Sequence, residues 1–592
     1  MNTIGFFTQR RTDERSTSKG FNWRYVTVVM CILGAVLTGL VLQMWRWQVN
    51  SHAYYDDLAK AQYLVNERLP TSRGTICAAD GSVLAVDEPV WGVYASVSSD
   101  VRERERVDLQ RDTFIYTVSQ ILTLDPEKVD KQLTADFRYV PLKHEVSVDD
   151  KRALEDAGLL GLYFVEEEKR IYPQGQLAAQ LIGFVGRNDN GEAVGNYGLE
   201  GYYAGDLLGM EGYSYEEKDS RGNVILTGEY DPVYPRSGKN IVLTLEPAMQ
   251  SRVETSLAKS VKAYKAKSGS AIVMDPRTGA ILVMATFPTY NPGYYWKEEN
   301  ADVFRNRAIS DVYEYGSVNK ALTISMALEE GAITPKTVCH DKTGSMQLYD
   351  QTIYTWDKMP DGDLLPKDIL KYSNNVCAAE TGLKVGIERF YSYLEKFGIG
   401  NFVGIGLQDE ATSYLAPLEK WTKLDLAVSS FGQSISATPL QIISAISTIA
   451  NDGVRMRPYI VQKIYDESEE ITIQPEAIGR VVSEETAQEV QGMMEVVVRE
   501  GEAKWWFDQV KMYSIAGKTG TAQIPYKDKA GYYDDKTNVT FVGFSPVHDA
   551  KMIMIVRLEE PKTDTFSAST AVPAWIDIYK EIVLDLGIAP ES

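Results

Sequence analysis

Ser317-Val-Asn-Lys320, Ser373-Asn-Asn375 and Lys518-Thr519-Gly520-Thr521 follow one another along the chain, and any fold must bring these three distant segments to one place. The Ser-x-x-Lys spacing puts both side chains on one helix face, one turn apart. The amine of Lys320 then reaches the hydroxyl of Ser317. A lysine is a poor base at its ordinary pKa, but burial and a neighbouring cation lower it enough to accept a proton. Ser373 and Asn375 add a hydroxyl and an amide that relay protons and hold a substrate. Lys518, Thr519, Gly520 and Thr521 read as an edge strand that binds a carboxylate and offers a backbone N–H to an oxyanion. Together these are the parts for acyl transfer through a serine without a histidine.

Single copies of such short motifs carry little weight. Ser-x-x-Lys also begins at Ser16 and Ser256, and a second Lys-Thr-Gly begins at Lys342. Context selects among them. Ser16 lies in a polar tail and Ser256 on a polar helical surface. Ser317 follows Gly316, which permits a sharp turn, and precedes the apolar run Ala321-Leu-Thr-Ile-Ser-Met-Ala-Leu328. A serine so placed sits at a helix N-terminus, where the dipole favours developing negative charge. Lys342 falls in a polar loop between the two serine motifs, whereas Lys518 opens a strand-like stretch.

The chain has 592 residues, more than one domain's worth. Residues 25–45 form an uncharged apolar run of 21 residues, enough to cross a bilayer as a helix. Trp23, Tyr25, Trp45 and Trp47 bracket it as interfacial aromatics. Residues 1–24 carry a net charge of +3, which predicts a cytoplasmic N-terminus and an extracytoplasmic remainder. The run is too long for a typical signal-peptide core. The whole chain carries −21, so the ectodomain is acidic, which argues against a nucleic-acid partner. Of the four cysteines, Cys31 lies in the apolar run; a Cys339–Cys377 pair could form, though a fold of this size does not need it. The four histidines show no metal-binding spacing, and no metal or other cofactor is expected.

Residues 1–24 are thus expected to be a cytoplasmic tail, 25–47 the membrane helix, 48–235 a β-rich pedestal and 236–592 the catalytic domain. Residues 51–65 read as a helix standing the ectodomain off the membrane. Residues 101–160 carry charged helical stretches, and a Gly- and Tyr-rich run extends to Gly222. In the last segment a strand at 240–246 leads into a helix from Pro247, followed by a hairpin at 270–285 around Asp275-Pro-Arg-Thr-Gly279. Strands at 518–523, 539–544 and 552–558 and a closing helix at 568–586 complete it. Strands at both ends with helices between them give an α+β fold, an antiparallel sheet flanked by helices.

With these elements in place the chain resembles the class B penicillin-binding proteins, the monofunctional peptidoglycan transpeptidases. Besides the three catalytic motifs, the likeness rests on Arg73-Gly-Thr-Ile76, Asp80-Gly81, Leu84-Ala85, Arg170-Ile-Tyr-Pro173, Gly198-Leu-Glu200 and Val273-Met-Asp-Pro-Arg-Thr-Gly279. Arg305-Asn-Arg-Ala308, Phe431-Gly-Gln433 and Thr438-Pro-Leu-Gln441 point to the FtsI-like division branch, with the elongation branch as the near alternative. The sequence departs from the family pattern twice. Tyr315 replaces the usual proline before Gly-Ser, and Asn319 stands before the lysine where Phe or Met is usual. Neither position is catalytic.

The resemblance implies a five-stranded transpeptidase sheet, a pedestal like the family's dimerisation domain, D-Ala-D-Ala stem peptides as substrate and β-lactams as inhibitors. It gives Ser317 as nucleophile, Lys320 as base, Ser373 and Asn375 as proton relay and substrate holder, and Lys518, Thr519, Gly520 and Thr521 as the carboxylate-binding strand. It also implies a SEDS-family glycan polymerase and division-complex membrane proteins as partners. Two rival functions stay open at this point: a D,D-carboxypeptidase or β-lactamase-like hydrolase that passes the acyl group to water, and a non-catalytic penicillin-binding scaffold or sensor.

Overall fold

The computed structural model describes residues 23–52, 54–55, 64–69, 71–96, 111–134, 139–188, 193–217, 233–526, 528–529 and 531–591. The chain divides into two units, residues 1–69 with 212–234, and residues 70–211 with 235–592.

In the first unit, helix α1 (Trp23–Trp45) runs on as a π-helical turn, Arg46–Asn50. Mean hydropathy reaches 2.3 over an 18-residue stretch within residues 26–50, and large apolar side chains such as Leu33, Leu37 and Leu40 are exposed around the helix. A helix of this length, apolar on all sides, suits a bilayer and not a protein core. Strand Leu64–Leu69 pairs antiparallel with Gly212–Glu217. Residues 64 and 65 therefore belong to a strand, not to the stand-off helix expected there; cross-strand partners distant in sequence override a local helical pattern. Residues 56–63 and the stretch from 218 to Gly222 lie outside the described residues.

The second unit begins with a twisted antiparallel sheet in which the long strand Val83–Ser96 pairs with Tyr139–Val146 on one side and Leu162–Ile171 on the other. Helices Arg111–Leu122, Pro126–Leu133 and Val148–Asp156 fall in the charged stretch expected to be helical, and their apolar faces enclose Val93, Phe114, Val118, Val129 and Leu154. Three of the pedestal motifs, those of Arg73, Arg170 and Glu200, meet in one buried ion network. Glu200 accepts from Arg73 Nε at 2.6 Å and Arg170 Nε at 2.7 Å, and Arg170 Nη1 reaches Asp87 at 3.0 Å. The sheet continues past the expected domain boundary at 235/236. Ile76–Cys77 pairs parallel with Asn240–Leu243, which pairs antiparallel with Val461–Tyr465.

The catalytic region is built on five antiparallel strands: β1 (Ser268–Met274), β2 (Ile281–Phe287), β3 (Ala516–Pro525), β4 (Tyr532–Ser545) and β5 (Met552–Glu559), in the order β2-β1-β5-β4-β3. Period-two alternation sorts its side chains. Ala271, Val273, Met554 and Val556 face a core shared with helices α2 (Pro247–Ala263) and α7 (Ala571–Ile582). Ile272, Met274, Ile553 and Ile555 face the larger core on the other side, with α3 (Asn319–Glu329), α4 (Asn375–Val385), α5 (Pro439–Ala450) and α6 (Glu484–Glu500). Two of these helix starts carry clear sequence signals. Thr438 and Gln441 form a capping box ahead of α5, with Pro439 in its first turn, and Ser483 caps α6. Strand β3 ends the sheet order, so one side of its backbone is open to a ligand.

Candidate active site

Two glycines let the serine turn press against strand β3. Gly316 has φ +56°, and a Cβ there would lie 2.7 Å from the carbonyl oxygen of Thr521. A Cβ on Gly520 would lie 2.4 Å from the carbonyl oxygen of Tyr315. Any larger residue at either position would drive the two segments apart. The turn Gly316–Val318 leads directly into α3 and presents Ser317 half-buried, with Lys320 fully buried one turn on.

Lys320 Nζ lies 2.9 Å from Ser317 Oγ, 2.7 Å from Asn375 Oδ1 and 3.2 Å from Ser373 Oγ, and it also donates to the Ser373 carbonyl. Lys518 Nζ reaches Ser373 Oγ at 3.1 Å and Thr519 Oγ1 at 3.3 Å. Ser373 thus stands between the two amines. It adopts φ +56°, unusual for a residue with a side chain and typical of functional turns. Asn374, the middle residue of that motif, is buried and structural. Its Oδ1 caps α4 at Cys377 N, and its Nδ2 donates to Asp341 and Asp361. Cys377 and Cys339 form a disulfide, which fastens strand Cys339–Asp341 to the first turn of α4.

All eight residues expected from the three motifs therefore fall in one cleft between α3, α4 and β3. The other motif copies do not join them. Ser256 lies on α2, behind the sheet, and Lys342 is exposed in the turn after Asp341. Ser16 is outside the described residues.

Electrostatics separate the two lysines. Burial first, and then the charge of Lys518, push the Lys320 amine well below the ordinary lysine range. Lys518 is lowered by burial to about 8, a fall opposed by the Glu502 carboxylate. One buried amine is thus suited to take a proton and the other to hold one.

Two features of the site escape a motif reading. Ser567 donates to the Gly520 carbonyl, and its hydroxyl and N–H hold the Thr521 hydroxyl at 2.7 and 3.1 Å. It sits in a polar loop with no distinguishing pattern. The two departures from the family pattern bond to each other. Tyr315 OH donates to Asn319 Oδ1 at 3.0 Å, both residues are buried, and Asn319 Nδ2 donates to the Ser429 carbonyl at 2.7 Å. The pair spans the turn that carries Ser317, and its only sequence signal was the joint appearance of two unusual residues.

A nucleophile turn, two buried lysines and an edge strand on a five-stranded antiparallel sheet define an acyl-transferring serine enzyme. The sequence matches the penicillin binding protein transpeptidase domain over residues 269–583 and the penicillin-binding protein dimerisation domain over residues 68–243. Stage V sporulation protein D of Bacillus subtilis is 30% identical, over 90% of this chain and 81% of its own. The peptidoglycan D,D-transpeptidase FtsI of Escherichia coli K12 is 26% identical, over 99% of this chain and 95% of its own. The crystal structure of penicillin binding protein 2X from Streptococcus thermophilus superposes with a TM-score of 0.73 at 25% identity, covering 89% of this chain and 81% of that one. The chain belongs to the class B penicillin-binding protein family.

Proposed function

We propose that the protein is a membrane-tethered peptidoglycan D,D-transpeptidase in which Ser317 carries the acyl group. The observation that bears most weight is the 2.9 Å contact between Ser317 Oγ and the buried amine of Lys320. A neutral amine offers its lone pair to the hydroxyl proton, so Ser317 attacks the carbonyl of the penultimate D-Ala as Lys320 takes that proton. The oxyanion forms beside the turn at Ser317 and the outer side of β3, where the N–H groups of Ser317 and Thr521 stabilise it; one such donor is worth about 10²–10³ in rate. The terminal carboxylate binds Lys518, Thr519 and Thr521 along β3, with Gly520 allowing the close approach. Ser373, within reach of both amines, passes a proton to the departing D-Ala nitrogen. Asn375 steadies Lys320 and faces the substrate amide. An amine of a second stem peptide then attacks the acyl-enzyme, returns Ser317 to its free form and completes the cross-link. A β-lactam enters the same first step and stays on the serine.

The N-terminus lies in the cytoplasm and the catalytic domain (236–592) outside, carried by the pedestal (48–235). The basic tail ahead of α1 supports this orientation. Nascent glycan comes from a SEDS-family polymerase within a division complex; likeness to the FtsI branch supports that partner. A role in sporulation is the second reading, favoured by the 30% identity to a protein named for stage V of that process.

Incubation with a fluorescent penicillin, with the labelled peptide mapped by mass, tests the acyl-serine. Stem pentapeptide supplied with an amine acceptor separates transfer from hydrolysis. Label on Ser317 and a cross-linked product are expected. Label elsewhere, or release of D-Ala with no cross-link, would count against the proposal.

A further inference from the structure

The segment that follows β2, the edge strand opposite β3, folds back on the pedestal and leaves a cleft of about 360 Å³ between them. Its turn Pro292–Lys297 supplies Tyr295 and Trp296 to one wall. Strand Leu162–Ile171 supplies Glu168 and Lys169 to the other, strand Tyr139–Val146 supplies Glu145, and strand Phe184–Arg187 supplies Arg187. The aromatic wall is fixed before any ligand arrives. Tyr295 stacks on Phe184 with ring centroids 4.1 Å apart, and Phe184 packs in turn on Tyr290 and Phe304. Trp296 stands edge-on to Tyr295 at 5.3 Å and 85°, yet is 60% exposed. The other wall is polar. Glu145 holds Lys169 at 3.3 Å and Arg187 at 3.7 Å. Glu168 is half-buried, and among the described residues nothing donates to its carboxylate. Burial, and then the charges of Asp87 and Glu166, raise its pKa above the ordinary carboxyl value.

The geometry points to a binding site for one sugar of a glycan strand, an N-acetylated amino sugar set between Trp296 and Glu168. This rests on the peptidoglycan substrate proposed above. A pyranose ring presents an apolar C–H face to an aromatic plane and hydroxyls around its edge. A concave site with a rigid aromatic wall and a few polar groups suits such a ligand. Its hydroxyls donate to the partnerless Glu168, and Lys169 and Arg187 donate to the acetamido carbonyl. Charge favours a neutral occupant. The two carboxylates and two cations of the polar wall cancel, and Arg170, also at the cleft, is taken up by Glu200 and Asp87. The distance to the nucleophile fits as well. Thr521, Val539, Leu558, Gly269 and Phe287 form one continuous rung across the five strands. Four inter-strand steps of about 4.8 Å separate its ends, roughly 19 Å in all. The aromatic turn begins shortly after Phe287, and the turn of Ser317 packs against Thr521. A stem pentapeptide at full stretch covers about 17–18 Å. A sugar held in the cleft, itself spanning the remainder, therefore leaves the end of its peptide within reach of Ser317.

The test titrates the full-length protein in detergent with a neutral N-acetylglucosamine tetrasaccharide, followed by calorimetry, for wild type, Trp296→Ala and Glu168→Gln. Loss of one aromatic contact should weaken binding about tenfold in Trp296→Ala. Glu168→Gln should weaken it several-fold, and both variants should keep wild-type labelling by a fluorescent penicillin. In cross-linking assays wild type should use glycan-borne pentapeptide better than free pentapeptide, and Trp296→Ala should lose that advantage. Unchanged sugar affinity in Trp296→Ala, or no binding by wild type, would overturn the inference. So would displacement of the sugar by free pentapeptide, which would make the cleft a peptide site. If Trp296→Ala melts below the assay temperature, Glu168→Gln decides. Failure of the active-site reading would look different: the tetrasaccharide would bind while wild type took up no label at Ser317.

Discussion

Removing the Tyr315 hydroxyl should both destabilise the protein and slow its acylation, because that hydroxyl satisfies a buried acceptor beside the nucleophile. In Tyr315→Phe the Oδ1 of Asn319 loses its donor at a residue of 0% exposure, while Asn319 Nδ2 keeps the Ser429 carbonyl. An unsatisfied buried acceptor costs about 1–3 kcal/mol. In a domain of this size that corresponds to a fall in Tm of roughly 2–6 °C. Asn319→Ala should cost more, about 2–4 kcal/mol, since it orphans the tyrosine hydroxyl and the Ser429 carbonyl together and leaves a small void. The double variant should not cost the sum. With both partners gone the shared bond is lost only once, so a coupling of about 1–2 kcal/mol should remain in a double-mutant cycle. Thermal melts followed by circular dichroism give the stabilities, and fluorescent-penicillin labelling gives the rate. Because the pair spans the Ser317 turn, acylation should fall several-fold in both single variants. Strictly additive destabilisation, or single variants acylating at the wild-type rate, would show that the two residues neither support each other nor fix the turn.

Ser317→Ala should abolish covalent labelling and leave Tm within a degree or two, since one half-buried hydroxyl is a small packing term; label retained by that variant would remove Ser317 from the mechanism. Lys518→Ala should lose acylation by orders of magnitude and Lys342→Ala should not, and the reverse result in the same labelling assay would put the carboxylate site elsewhere. Glu254 accepts from Ala178 N–H and Gln250, and burial pushes its carboxyl up to about 7 from an ordinary value of 4.5. The folded protein keeps that proton where the unfolded chain has released it. Stability is therefore lost as pH rises from about 4.5 to 7, by roughly 3 kcal/mol in all. Glu254→Gln should accordingly raise the denaturation midpoint at pH 8 and leave it unchanged at pH 4; equal effects at both would contradict the assignment. Replacing residues 25–45 with an unrelated apolar span should keep penicillin binding but impair complementation in cells, and full complementation would show that the span is only an anchor.

The catalytic strands, their order-defining motifs and the apolar span were legible because each rests on a local signal: period-two alternation, a glycine at a turn, an uninterrupted apolar run. Choosing Lys518 over Lys342 needed only the surrounding residues. What stayed hidden depends on groups far apart in sequence. Strand Leu64–Leu69 exists because Gly212–Glu217 pairs with it, and nothing within the local sequence announces that partner. Cys339 and Cys377 could have paired or not on sequence grounds, and the approach of strand Cys339–Asp341 to α4 decides it. Ser567 holds Thr521 across 46 residues of chain.

The hydrogen-bonded run from Ile76–Cys77 through Asn240–Leu243 to Val461–Tyr465 bears on how the enzyme can be cut for study. A polypeptide begun at residue 236 would retain every catalytic side chain, yet its strand Asn240–Leu243 would lose the neighbour on one side. The exposed N–H and C=O row is a template for any passing strand, a second molecule's included. Such a fragment should self-associate or precipitate. A soluble penicillin-binding piece must therefore begin upstream of Arg73, so that the parallel neighbour stays in register and the exposed edge never forms.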